Sequence, residues 1–146
     1  PEKTAEVIEL IDGYRWYRTG DKGHLDEDGF LTIVDRYSRF AKIGGEMISL
    51  TTVEEEILDA CNDKDLEIAA TCLPDQRKGE KIVLLATNNL DKNELKKMLS
   101  DAKVNPLYHP TQVLMVEEIP KLGSGKTDFG ATKKIALVNE QKNISA

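Results

Sequence analysis

The spacing of apolar residues divides the chain into segments of two different periods. Tyr14-Arg15-Trp16-Tyr17-Arg18-Thr19 alternates and is rich in aromatic side chains, which suits a pleated surface. Phe30-Leu31-Thr32-Ile33-Val34, β-branched and aromatic, reads as the return strand. His24 to Gly29 reads as the turn between them, with Asp28-Gly29 supplying a tolerated positive φ. One β-hairpin is therefore expected over residues 14 to 34. The period then lengthens. Val53, Ile57 and Cys61 recur at i, i+4 and i+8 with Leu58 beside them, behind a Thr51 or Thr52 N-cap and Glu54 or Glu55 three residues on. Ile68 to Leu73 predicts a strand ended by Pro74, with Gly79 closing the next turn. The continuous run Lys81 to Thr87 predicts a strand buried on both faces. Asp91 and Glu94 open a second helix with the stripe Leu95, Met98, Leu99 and Ala102. Pro106 and Pro110 break the chain before a strand over Gln112 to Val116. Lys121 to Gly125 reads as a mobile loop, and Asp128 caps a last helix through about Glu140.

From residue 46 onward, counting Glu46 to Leu50 as a short strand, the order is strand, helix, strand, strand, helix, strand, helix. That order predicts an α+β layered fold, a small mixed sheet covered by helices. Length agrees: 146 residues suit one domain, or one and a fragment. The first ten residues, without a methionine, read as the interior of a longer protein.

Hydrophobic residues make up 40% and charged residues 32%, a globular balance. With 26 acidic and 20 basic residues the formal charge is −6, which argues against a nucleic-acid binder. No apolar run approaches the length of a membrane span. The two cysteines, Cys61 and Cys72, match no zinc spacing and no disulfide framework, so a reducing cytosol is the simplest setting and both read as core thiols. His24 and His109 have no partner pattern and read as structural.

Few features carry chemistry. Asp21 follows a glycine in Tyr17-Arg18-Thr19-Gly20-Asp21, and is either a turn residue or a ligand. Arg36, Arg39 and Lys42 lie in a segment, residues 35 to 45, read as a basic connector and then a tight bend at Gly44-Gly45. Those three basic residues form either a solvated face or an anion site. Leu122-Gly123-Ser124-Gly125-Lys126 can bring backbone N–H groups and a cation near a phosphate. It is not a P-loop, which would need glycine at Pro120, and Lys126 on spacing alone is an ordinary surface lysine. No GxSxG elbow places a base beside Ser124. The residues by themselves name no reaction.

Taken in order, three of these segments resemble motifs of the C-terminal part of adenylate-forming enzymes: acyl-CoA and acyl-ACP synthetases, peptide-synthetase adenylation domains and luciferases. Tyr17 to Asp21 is similar to the family's YRTGD segment. Asp35 to Glu46 is similar to its hinge motif, an arginine and a lysine ahead of a glycine turn. Pro120 to Lys126 is similar to its terminal P-x-x-x-x-G-K motif. The resemblance covers residues 13 to 140. Ser38-Arg39-Phe40-Ala41-Lys42 and Leu122 to Phe129 most resemble one branch, the bifunctional 2-acylglycerophosphoethanolamine acyltransferase/acyl-ACP synthetases.

The resemblance implies a two-step ligase using ATP and Mg2+ and releasing AMP. A fatty carboxylate is adenylated, and a phosphopantetheine thiol, on acyl carrier protein or CoA, then displaces AMP. In the bifunctional branch the acyl group passes on to a lysophospholipid. By position, Asp21 holds the ribose hydroxyls, Arg36 reaches ribose or phosphate oxygens, and Lys126 stabilises charge between carboxylate and α-phosphate. Gly44 and Gly45 line the pantetheine path, Glu46 fixes that turn, and Ser38 stands at the pivot, where the family usually has Asp or Lys. No metal ligand is implied in this chain. Residues 1–35, the hairpin included, become the tail of the large N-terminal adenylation domain, and residues 36–146 the mobile C-terminal domain. With no phosphate loop in these residues, the chain alone is expected to be inactive. Any membrane association of the parent would come from other domains. The same-class rival is an acyl-CoA synthetase; the rival from another class is a non-catalytic α/β interaction module.

Overall fold

The computed structural model describes residues 2–145. The chain divides between Ser38 and Arg39 into two units, three residues beyond the 35/36 boundary expected from the motifs.

The first unit holds a short helix, α1 (Glu2–Val7), and two antiparallel hairpins: β1 (Ile8–Ile11) with β2 (Tyr14–Tyr17), and β3 (Asp21–Leu25) with β4 (Leu31–Arg36). The single hairpin expected over residues 14 to 34 is thus corrected to two. Asp12 and Gly13 both have positive φ (51° and 81°), the two-residue turn that matches strand twist, so the 14–17 run pairs backward with residues 8 to 11. The expected turn over His24 to Gly29 is shorter. The Asp26 carboxylate accepts from the N–H groups of Asp28 (3.0 Å) and Phe30 (2.8 Å), closing it around Asp26 and leaving His24 and Leu25 in β3. No described residue of this unit is buried. Leu10, Tyr14, Trp16, Leu25, Phe30 and Ile33 are all more than half exposed.

The second unit opens with a 3-10 turn (Tyr37–Arg39, shared with the end of the first) and continues β5 (Phe40–Ile43), β6 (Glu46–Ser49), α2 (Leu50–Cys61), β7 (Ile68–Asp75), β8 (Gly79–Ala86), α3 (Lys92–Asp101), β9 (Gln112–Met115) and α4 (Phe129–Ile144). The strands form one five-stranded sheet in which β8 pairs antiparallel with β5 and β7 and parallel with β9. The α+β reading therefore holds, and from β6 onward the element order is the expected one. β5 is an addition. Its four residues, interrupted by Lys42, read as part of the basic connector, yet Ala41 and Ile43 are buried and pair with β6.

β8 explains the layering. Ile82 to Ala86 are all at most 1% exposed. Alternate side chains point to opposite faces of a strand. Ile82 and Leu84 pack with Ile57 of α2 and with Leu95 and Leu99 of α3. Val83 and Leu85 pack with Ile119 and with Ala136 of α4. Helices therefore cover both faces, which is why the run carries no polar alternation. Pro74 does not end β7; it pairs opposite Glu80 on an edge strand, where a missing N–H is tolerated.

The helix caps follow from side-chain chemistry. Asp91 accepts from the N–H groups of Asn93 and Glu94, as its spacing predicts, and Asp128 accepts from that of Ala131. The first long helix starts earlier than its threonines suggested. Ser49 is the N-cap, its Oγ accepting from the Thr52 N–H at 3.3 Å. That start puts Leu50, Val53 and Ile57 on one buried face. Ser49→Ala should lower stability by about 1 kcal/mol. The measurement is the urea unfolding midpoint, which should fall at unchanged slope. The corresponding Thr51→Ala variant should leave it in place.

Candidate functional site

Hairpin register brings the first two candidate residues together. Asp21 and Arg36 are paired positions of β3 and β4, and Arg36 Nε lies 3.3 Å from Asp21 Oδ1. The Asp21 N–H donates to Thr19 Oγ1 at 3.1 Å, which orients the residue as the chain leaves Gly20. The Arg36 side chain is 70% exposed and that of Asp21 27%, so the ion pair is screened and weak. Both groups retain unused acceptor or donor capacity for a ligand.

Ser38, the expected pivot, is exposed in the 3-10 turn and is the last residue of the first unit. Gly44 and Gly45 form the tip of the β5–β6 hairpin, with φ of 59° and 87°. A Cβ at either would meet nothing within 4 Å, so their glycine character answers to backbone conformation and leaves an open surface. The Gly44 N–H donates to the Lys78 carbonyl at 2.9 Å, tying this tip to the β7–β8 turn.

The segment around Lys126 is not the open, mobile loop its glycines suggested. Lys121 bridges Thr127, the Leu122 N–H donates to the Lys126 carbonyl at 2.7 Å, and the Gly125 N–H donates to the Leu122 carbonyl at 2.8 Å. The Asp128 N–H donates to the Pro120 carbonyl at 2.8 Å, and its carboxylate caps α4. The result is a closed hairpin anchored to a helix N-terminus. Its two lysines differ. Lys121 Nζ sits 2.9 Å from Glu67 Oε2, whereas the exposed Lys126 ammonium has no partner among the described residues. The Gly44-Gly45 tip and the Lys126 hairpin occupy different connections of the second unit.

Sequence reasoning missed one cluster. Residues 35 to 45 read as a basic connector, but Arg39 is 4% exposed. Its Nη2 lies 2.7 Å from Glu54 Oε2, its Nη1 donates to the Ala70 carbonyl at 2.8 Å, and its guanidinium sits 3.6 Å from the centre of the Phe129 ring. Glu54 Oε1 accepts from the Ala70 N–H at 2.7 Å, so this glutamate serves the cluster and not a capping box. The partners are 15, 31 and 90 positions away, beyond any local pattern.

The remaining candidates offer no chemistry. Cys72 is buried, its thiol 3.5 Å from Glu80 Oε1, and burial first and Glu80 second push it above its ordinary range. Burial, then Asp63, raises the half-buried Cys61. Neither is a poised thiolate. His109 holds the Val104 carbonyl at 3.2 Å. Two surface concavities of the second unit are lined by Asp75, Arg77, Lys81 and Glu140, and by Lys78, Lys96 and His109; neither includes Asp21, Arg36 or Lys126. Among the described residues no helix is long and apolar enough to cross a membrane.

Comparison with known proteins gives this arrangement a class. The chain is 36% identical over 134 residues to 2-succinylbenzoate–CoA ligase of Listeria monocytogenes, a match covering 90% of this chain and 28% of that protein. It is 35% identical over 121 residues to medium-chain-fatty-acid–CoA ligase of Ectopseudomonas oleovorans, covering 80% and 21%. Its fold matches ATP-bound MatB from Rhodopseudomonas palustris with a TM-score of 0.71 at 23% identity, covering 92% of this chain and 26% of that one. No protein-family model matches the sequence. Both of these sequence relatives are CoA ligases, and the chain spans about a quarter of their length.

Proposed function

We propose that the chain is the C-terminal part of an ATP-dependent, AMP-forming carboxylate ligase. The observation that carries the reading is Lys126. In a chain similar to CoA ligases, one closed hairpin pairs Lys121 with Glu67 and leaves Lys126 without a partner among the described residues. The hairpins of the first unit, with no buried residue and many exposed apolar side chains, fit the tail of a larger domain, since isolated two-stranded hairpins are marginal in water.

In this reading a carboxylate oxygen attacks the α-phosphate of ATP and pyrophosphate leaves. A thiol sulfur then attacks the acyl carbon and AMP leaves. Asp21 accepts from the ribose hydroxyls, both oxygens of a carboxylate being available for two donors. Arg36 reaches ribose or phosphate oxygens, and Lys126 faces the charge that builds at the α-phosphate. The open Gly44-Gly45 tip borders the path of a phosphopantetheine arm, and Ser38 is the pivot between the two half-reactions. Mg2+ would arrive bound to the triphosphate of ATP.

The finer reading is a fatty-acid ligase of the acyl-ACP synthetase branch, feeding lysophospholipid reacylation. It rests on the two strings Ser38 to Lys42 and Leu122 to Phe129, and on Lys126, Lys133 and Lys134 facing an acidic carrier. Lys121 adds less to that surface than its charge suggests, being paired to Glu67.

The test is ATP–pyrophosphate exchange by the full-length gene product with a medium-chain fatty acid or 2-succinylbenzoate, followed by thioester formation on CoA or acyl carrier protein. Exchange by the parent, and none by residues 1–146 alone, is the expected result. Carrier protein outcompeting CoA would support the finer reading, and the reverse would return it to an acyl-CoA synthetase. A full-length product with no exchange for any carboxylate would leave the chain an interaction module.

A further inference from the structure

We infer that Arg39 is a positioning residue for Lys126: the buried guanidinium clamps the start of the second unit to the first residue of α4, and so fixes the hairpin that presents the lysine. The inference rests on the ligase reading for its functional meaning and on geometry for the clamp itself.

Arg39 is the first residue of the second unit and follows Ser38 directly. Its side chain touches three elements at once: Glu54 on α2, the Ala70 carbonyl on β7, and the Phe129 ring at the start of α4. Phe129 follows Asp128, whose backbone N–H closes the 120–128 segment and whose carboxylate caps α4. Lys126 is three residues from Phe129. A short path of contacts, Ser38 to Arg39 to Phe129 to the hairpin, therefore joins the expected pivot to the free ammonium. Motion at Ser38 would carry the hairpin with it as one piece.

A purely structural role is the competing explanation, and the chemistry separates the two. An ion pair drawn out of water carries a desolvation penalty that a well-packed apolar pair avoids, so burying Arg39 against the part-buried Glu54 is not needed for stability alone. A flat guanidinium held by a carboxylate and a carbonyl while stacked on a ring fixes direction as well as distance. An apolar side chain would fill the space without fixing the angle of α4.

The test is the double variant Arg39→Met/Glu54→Gln. Methionine fills the space beside Phe129 and glutamine keeps an acceptor for the Ala70 N–H, so neither charge is orphaned. In the full-length enzyme, kcat for acyl-adenylate formation should fall on the order of tenfold with KM for ATP unchanged, since a small misplacement of a reacting group is enough. Thioester formation from preformed acyl-adenylate should stay at the wild-type rate. In residues 1–146, amide exchange should accelerate across 122–128 while the β8 amides keep their protection. A double variant as stable as wild type, with wild-type kcat and unchanged exchange at 122–128, overturns the inference. Should the double variant lose its fold, Phe129→Leu keeps the ion pair and removes the ring; it should show the same split, and a wild-type kcat overturns the inference equally. If the parent shows no adenylation, the ligase reading fails by itself, and the amide-exchange arm still decides the clamp: local acceleration supports it, a uniform or absent change refutes it.

Discussion

Lys126→Ala in the full-length enzyme is expected to lower acyl-adenylate formation by about 10²–10³, roughly 3–4 kcal/mol, the usual effect of removing one preorganised electrostatic contact. The carboxylate and the α-phosphate are both negative and must be brought together, so a fixed cation between them acts mostly in the transition state. The loss should therefore fall on kcat more than on KM. The backbone around Lys126 is closed by three hydrogen bonds and anchored to α4, and among the described residues no carboxylate engages the ammonium. Lys121 is the internal control. It sits in the same hairpin, already paired with Glu67, and Lys121→Ala should change neither half-reaction more than a few-fold. Supplied with preformed acyl-adenylate, Lys126→Ala should transfer the acyl group to the thiol almost normally. Intact pyrophosphate exchange in this variant would reduce the lysine to a surface charge.

What was legible in the residues tracks how local the determining contact is. Asp91 and Asp128 are caps whose partners lie three residues away or fewer, and both were readable from spacing. The Lys81 to Thr87 run announced a doubly covered strand because burial on both faces leaves no room for polar alternation. Ser49 was overlooked because Thr51, Thr52 and Glu54 offered an equally good local pattern. What selects Ser49 is tertiary: only that start buries Leu50. In the first unit, Asp28-Gly29 drew attention from Asp12-Gly13, although the latter has both residues at positive φ.

The candidate site divides the same way. Asp21, Arg36, Gly44, Gly45 and Lys126 were picked out by motif resemblance, and the fold shows their settings: a solvent-exposed pair, an open turn and a closed hairpin. Arg39 was hidden. A lone arginine between an exposed serine and a four-residue strand has no periodic signature, and its partners on α2, β7 and α4 meet it only once the sheet is assembled. Lys121 to Gly125 reads as a mobile loop in the sequence because glycine and serine report backbone freedom in the unfolded chain. They say nothing of the Leu122, Gly125 and Asp128 hydrogen bonds that remove that freedom on folding.

Ser38→Pro should separate the two half-reactions in the opposite sense to Lys126→Ala. Ser38 is exposed, lies in the 3-10 turn Tyr37–Arg39 and closes the first unit, so backbone rotation there disturbs no core side chain. Hinges absorb φ/ψ change at a few such residues. Proline fixes its own φ near −65° and biases the residue before it, Tyr37, towards extended conformations. Two neighbouring positions lose freedom at once, while Arg39 keeps its buried contacts on the far side. If one pose serves adenylation and another serves thioester formation, a bias of roughly 1.4 kcal/mol against the second slows its step about tenfold. Acyl-adenylate should accumulate while thioester production falls by at least that factor. Ser38→Ala, which changes the side chain and leaves the backbone free, should run both steps at wild-type rates. The measurement is single-turnover kinetics with separate quantification of adenylate and thioester. Equal loss of both products in Ser38→Pro would place the pivot elsewhere in the chain.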